Sequence, residues 1–112
     1  AMNLIDGELE GGVFRAKNTE IPGFDVADGK VTLGFRAEDA TVMDGKGQIN
    51  SVVYALELLG DATMLSVRID SSLVSVKADK NFRANISDQI SIQISKDRCH
   101  LFDNDTGARI GG

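Results

Sequence analysis

The sequence predicts an all-β fold, a barrel or sandwich of short antiparallel strands. Three observations carry that reading. Apolar residues alternate with polar ones in several separate runs, turn signals recur at intervals of ~8 to 12 residues, and twelve glycines against one proline supply turns and bulges. With 112 residues the chain fits one domain, 1–112, and buries roughly two thirds of its unfolded surface around one core.

Taken in order, Met2 to Glu10 contains an Asp6-Gly7 step and is followed by Gly11-Gly12, which suits short extended pieces with turns. Val13 to Lys17 reads as a short strand, and Asn18 to Gly23, with Pro22, as a loop. After the Asp28-Gly29 turn, Lys30 to Arg36 alternates with Val31, Leu33 and Phe35 toward the core. Gln48 to Leu59 is ambiguous: Ile49, Val52, Val53, Leu56 and Leu59 fit a helix, whereas Val52, Tyr54, Leu56 and Leu58 fit a strand. Flanking glycines and β-branched residues favour a strand bulged near Leu58-Leu59-Gly60. Thr63 to Ile69 and Leu73 to Lys77 form a hairpin around Asp70-Ser71-Ser72, Asp79 to Asp88 is irregular, and Ile90, Ile92 and Ile94 mark a half-buried strand.

Charge narrows the function classes. Seventeen acidic against twelve basic residues give a net charge of -5, with the cations scattered, so no nucleic-acid partner is expected. Five Phe and one Tyr offer few stacking platforms for single strands. One cysteine makes no internal disulfide. No run approaches the ~20 apolar residues of a membrane span, and the reading is a cytoplasmic chain.

The stretch Lys96 to Gly107 holds the only cysteine and the only histidine. Adjacent residues on a strand point to opposite faces, so Cys99 and His100 do not share a metal or form a nucleophile pair; one packs inward and the other faces out. Asp103 to Gly107 resembles a calcium loop, but its glycine comes one position early and no glutamate closes it, leaving a polar turn, and the Cys99 to Phe102 step with that turn reads as the strand and turn that close the barrel. Gly45-Lys46-Gly47 lacks the hydroxyl and spacing of a phosphate-binding loop. Arg36 and Glu38, two apart, share a face if extended, and Glu57 in its apolar run needs a partner if buried.

Four segments together resemble a known family: Met2-Asn3-Leu4-Ile5; Gly34-Phe35-Arg36-Ala37-Glu38-Asp39; Glu57-Leu58-Leu59-Gly60 with Thr63; and Arg98-Cys99-His100-Leu101-Phe102-Asp103 with Thr106-Gly107. In order and spacing they resemble the C-terminal regulatory domain of ATP-binding subunits of carbohydrate-importing ABC transporters, the maltose-importer ATPase type. The family's Gly-x-Arg-Pro-Glu lacks its proline here, since Ala37 takes that place. Ala1, ahead of Met2, is either native or an added residue.

The resemblance implies an OB-like barrel of the TOBE type, a fragment whose ATPase domain is absent. It implies a non-catalytic regulatory and dimerisation domain of a sugar importer's ATP-binding subunit, not an enzyme by itself. No cofactor is expected in the fragment, ATP and Mg belonging to the missing domain. The implied partners are a second copy, the ATPase domain, membrane permease subunits and a regulatory protein, at the inner face of the cell membrane. Gly34, Arg36, Glu38, Glu57, Gly60, His100 and Phe102 are the interface or regulatory candidates; catalytic and metal residues are expected to be none. The alternative is a module binding a small oxyanion such as molybdate, as related TOBE domains do.

Overall fold

A computed structural model describes residues 2–110, and Ala1 lies outside them. Among the described residues the strands are β1 (Met2–Glu10), β2 (Val13–Ala16), β3 (Thr19–Ile21), β4 (Gly29–Arg36), β5 (Ala40–Met43), β6 (Ile49–Leu58), β7 (Thr63–Ile69), β8 (Ser72–Ala78), β9 (Gln89–Ile94), β10 (His100–Asp103) and β11 (Arg109–Ile110). Two 3-10 turns, Ala37–Asp39 and Lys96–Arg98, interrupt them. The strands pair antiparallel in the order β11-β10-β4-β1-β2-β3-β6-β7-β8, with β9 joined to β6 and β5 to β9. The sheet curls into a half-barrel, so the all-β, OB-like expectation holds.

Alternation builds the core. Ile5 and Leu9 of β1, Leu33 and Phe35 of β4, Leu65 and Val67 of β7, Val74 and Val76 of β8 and Ile92 and Ile94 of β9 all point inward, and each is buried. Phe14 and Phe35 are the largest fully buried side chains. Burying apolar surface at roughly 25 cal/mol per Å² makes these residues the main favourable contribution to folding.

Four local expectations change. Asp6-Gly7 is not a turn: β1 runs unbroken through it, pairing with β4 from Met2↔Arg36 to Leu9↔Gly29. Gly7 is required there for space, because a Cβ would collide with the Arg15 carbonyl oxygen and sit 2.7 Å from the Phe14 ring. Within the expected loop, Thr19–Ile21 pairs with β2 as a three-residue strand and buries Ile21. The bulge in β6 falls between Val53 and Ala55, not at Leu58-Leu59-Gly60. The extra residue changes the inward parity, so Ile49, Val53 and Leu56 face the interior at spacings of four and three, which imitates a helix.

The fourth change concerns closure. The β10 strand does not close the barrel; it sits between β4 and the short β11. Instead β8, paired along one edge with β7, turns its other edge toward β1, β5 and the Ala37–Asp39 turn. Asn3 makes the join: its Nδ2 donates to the Ser75 carbonyl at 2.8 Å, and the Ser75 amide donates to its Oδ1 at 2.9 Å. One side-chain amide therefore imitates a strand neighbour and satisfies both backbone groups of Ser75.

Asn3→Ala leaves both Ser75 groups without these bonds at a part-buried edge, and the expected loss is about 1–3 kcal/mol in urea unfolding. Gly7→Ala is expected to cost more than Gly34→Ala in the same assay. Backbone and a buried ring block the new methyl at position 7, whereas mobile surface side chains meet it at position 34.

Candidate functional site

The inward set fixes an outward one. Because Ile5 and Leu9 face the core, Met2, Leu4 and Asp6 face out on β1; because Leu33 and Phe35 face the core, Thr32, Gly34 and Arg36 face out on β4; because Leu101 is buried, His100 and Phe102 face out on β10. The registers align these residues in three rows. Asp6 lies opposite Thr32 and Phe102, Leu4 opposite Gly34 and His100, and Met2 opposite Arg36.

Gly34 is the centre of this face. A Cβ there would meet the Met2 sulfur at 2.6 Å, Phe102 at 2.9 Å and Leu4 at 3.3 Å, so three apolar side chains converge over the space a side chain would take. Leu4 remains 52% exposed, one of several large hydrophobic side chains on the surface, among them Leu58, Leu73 and Ile86. His100 is half-buried beside Gly34, and its Nδ1 is buried without a hydrogen-bond partner among the described residues. A notch of about 290 Å³ opens between Leu4, Phe102 and the turn carrying Asn104 and Gly107.

The two ends of the face differ in charge. At one end Asp6 Oδ1 accepts from Thr32 Oγ1 at 2.8 Å and from Asn104 Nδ2 at 3.3 Å. Beside it, Asp103 Oδ1 accepts the Thr106 amide at 2.9 Å and the Asp105 amide at 2.8 Å, and these donors hold its carboxyl below the ordinary carboxylate range. The Asp103 to Gly107 stretch is thus the polar turn its sequence suggested. At the other end stands the exposed guanidinium of Arg36.

Gly34, Arg36, His100 and Phe102 therefore come together, as four of the seven candidates. Glu38 does not join them: the 3-10 turn Ala37–Asp39 breaks the extended geometry that would have set it on the face of Arg36. Glu57 is exposed on β6 opposite Met64, which removes the question of a buried carboxylate, and Gly60 adopts φ +90° in the turn between β6 and β7. Sequence reasoning missed Met2, Leu4 and Asp6. The available signal was Leu4 next to Ile5, since consecutive apolar residues on one strand place hydrophobic side chains on both faces.

Other places are committed to structure. A groove of about 780 Å³ runs past Arg15, Asn18, Lys46, Gln48 and Asn50, but Gln48 Oε1 accepts the Ile94 amide and the Asn50 amide group is bonded at both ends to Gly47. Arg15 pairs with Glu20 at 2.8 Å across β2 and β3. The Arg68 guanidinium lies 4.7 Å above the Tyr54 ring. Among the described residues no group of three or more His, Cys, Asp or Glu is placed to hold a metal ion. Cys99 is buried while its neighbour His100 is half-buried, and burial, then the charge of Asp39, pushes the Cys99 thiol up to about 11.

No family model matches the chain. Individual relatives do. The chain is 27% identical over 120 residues to the xylose/arabinose import ATP-binding protein of Haloferax volcanii, covering 96% of this chain and 31% of that protein. It is 28% identical over 120 residues to the sn-glycerol-3-phosphate import ATP-binding protein of Escherichia coli, covering 98% and 33%. The chain is similar to part of importer ATP-binding subunits. A putative ABC transporter ATP-binding protein of Mycoplasma genitalium matches 72% of the chain at 26% identity. These relatives bear out the resemblance read from the four segments, and the chain spans about a third of the length of the first two.

The environment of Cys99 gives a direct test. The shift from 9.0 to about 11 means on the order of 100-fold less thiolate at pH 8 than a free cysteine has. A disulfide-exchange reagent is expected to label the native chain at least that much more slowly than the urea-unfolded chain. The stabilisation by the neutral thiol is fully present below pH 9 and is lost as pH rises through about 11, so midpoints should fall in that alkaline window.

Proposed function

We propose that this chain is a non-catalytic regulatory and dimerisation domain of the ATP-binding subunit of a solute importer of the ABC class. The observation that carries the reading is the match along 96–98% of the chain to about a third of import ATP-binding proteins. ATP and Mg would be bound by a separate domain, and the whole subunit would work with permease components at the inner face of the membrane. Among the described residues no helix is long and apolar enough to cross a membrane. The TOBE name describes the fold that this role would use, an OB-like curled sheet presenting one apolar outer face.

That face supports a protein partner in preference to a small oxyanion. Asp6, Asp103 and Asp105 gather around the notch at Phe102, and like charge opposes molybdate or phosphate there. An apolar patch ringed by polar groups is the ordinary composition of a protein contact.

Exchange of the matching third of the Escherichia coli sn-glycerol-3-phosphate import ATP-binding protein for this chain tests the assignment. The hybrid is expected to retain ATP hydrolysis and to stay paired in sedimentation velocity, whereas the subunit truncated of that third is expected to pair at least tenfold more weakly. Equal pairing by the truncated subunit and the hybrid would remove the dimerisation role.

A further inference from the structure

The geometry points to the free edge of β6, residues 55–59, as a docking strip on which an extended segment of a partner protein, alternating apolar and basic residues, adds as one further strand. The strip lies apart from the outer face of β1, β4 and β10 and does not depend on the dimerisation reading. Backbone pairing defines it. Strand β9 covers β6 as far as Val52↔Gln89; next to that pair the Val53 amide donates to the Asp88 carbonyl at 2.8 Å and the Val53 carbonyl accepts from the Ser87 amide at 2.8 Å. Past Val53, β7 alone pairs with β6 among the described residues.

Antiparallel strands exchange backbone bonds at every second residue pair. The Leu59 amide donates to the Ala62 carbonyl at 2.9 Å, which makes Glu57↔Met64 and Ala55↔Ser66 the bonded pairs of this hairpin. Leu56 and Leu58 therefore turn their N–H and C=O groups away from β7, toward an edge that no described strand occupies. The same alternation, carried on to β8, turns Ser75 away from β7, and there Asn3 supplies both bonds. Among the described residues no side chain covers Leu56 and Leu58 in that way. Backbone groups at strand spacing are matched by another extended backbone.

The side chains set its composition. Natural edges are protected by lysine, proline or a covering element, yet residues 52–59 hold neither of those residues and a single charge, Glu57. Leu58 is 59% exposed, and Ile86, in the turn beside Val53, is 61% exposed. Leu56 and Leu58 lie opposite Leu65 and Thr63 on the inward side, whereas Ala55 and Glu57 lie opposite Ser66 and Met64 on the outward side. An added strand thus meets leucines on one side and the exposed Glu57 carboxylate on the other. Valine or leucine alternating with lysine or arginine suits both. A second copy of this chain does not, because antiparallel pairing of two Leu56-to-Leu58 edges sets Glu57 opposite Glu57.

Amide hydrogen exchange of the chain, with and without an acetylated heptapeptide of alternating valine and lysine, reads this edge. In the free chain the Leu56 and Leu58 amides are expected to exchange at least tenfold faster than those of Ala55 and Glu57, and the peptide is expected to slow them at least tenfold. Leu58→Pro removes one edge donor and no β6–β7 bond, so it is expected to abolish binding while β6 and β7 stay paired. Glu57→Lys, a change of one exposed side chain, is expected to weaken binding at least tenfold and to reverse the preference toward a valine-glutamate peptide. Unprotected Leu56 and Leu58 amides at millimolar peptide, or equal binding by wild type, Leu58→Pro and Glu57→Lys, would overturn the strip. Equal affinity of the wild type for the two peptides would overturn the basic partner. Protection of these amides that rises with chain concentration in the absence of peptide would give the edge to a second copy and overturn the partner segment.

Discussion

The two hydrogen bonds between Asn3 and Ser75 are the constraint on which the rest of the molecule depends. A curled sheet with two free edges exposes unpaired backbone donors and acceptors, and β8 would be such an edge. Asn3 occupies it at mid-strand with a planar amide that offers one donor and one acceptor, as a backbone peptide does. The contact links residues 72 positions apart, so the first strand of the chain holds the third-quarter hairpin in place. The loop-closure entropy of such a long-range join is met once, and the core between β1, β4, β7 and β8 then packs within a fixed frame.

Much of the frame was legible from alternation alone. Val31, Leu33 and Phe35, the hairpin of Thr63 to Ala78 and the isoleucines of β9 obey a period of two, and the structure places them as that period requires. Where reading failed, a single residue had changed the rule. The bulge between Val53 and Ala55 reverses the inward parity of β6, which made one strand fit two periodicities at once. Gly7 looked like a turn because glycine and aspartate favour turns, yet it is a strand residue kept small by the ring of Phe14. Asn3 was visible as part of a segment, but nothing local announces that its partner is Ser75.

The candidate site was legible to a similar depth. Spacing put His100 and Phe102 on one face, and the pairing of β10 with β4 sets them opposite Gly34 and Thr32. The contribution of β1 could not be read, since strand order is a long-range property and β1 reaches β4 only through the antiparallel register from Met2 to Leu9. Arg36 and Glu38 show the opposite error. They are close in sequence and would be neighbours in extended chain, but the turn at Ala37–Asp39 separates their directions.

Strand β1 does two jobs with alternate residues. Asn3, Ile5 and Leu9 face inward and close the half-barrel, while Met2, Leu4 and Asp6 face outward and form the apolar surface with its acidic end. The outer face is therefore held by the same backbone that the core and the Asn3 clamp immobilise. A surface fixed in this way loses little conformational entropy when it is covered, which favours binding from a patch of modest size. Gly34 extends the same economy to β4: by giving up a side chain at the centre of the face, it lets Met2, Leu4 and Phe102 settle into one low surface. The apolar outer face and barrel closure are thus carried by alternate residues of a single strand, and a change that loosens Asn3 would be felt at Leu4, one residue away on the opposite side.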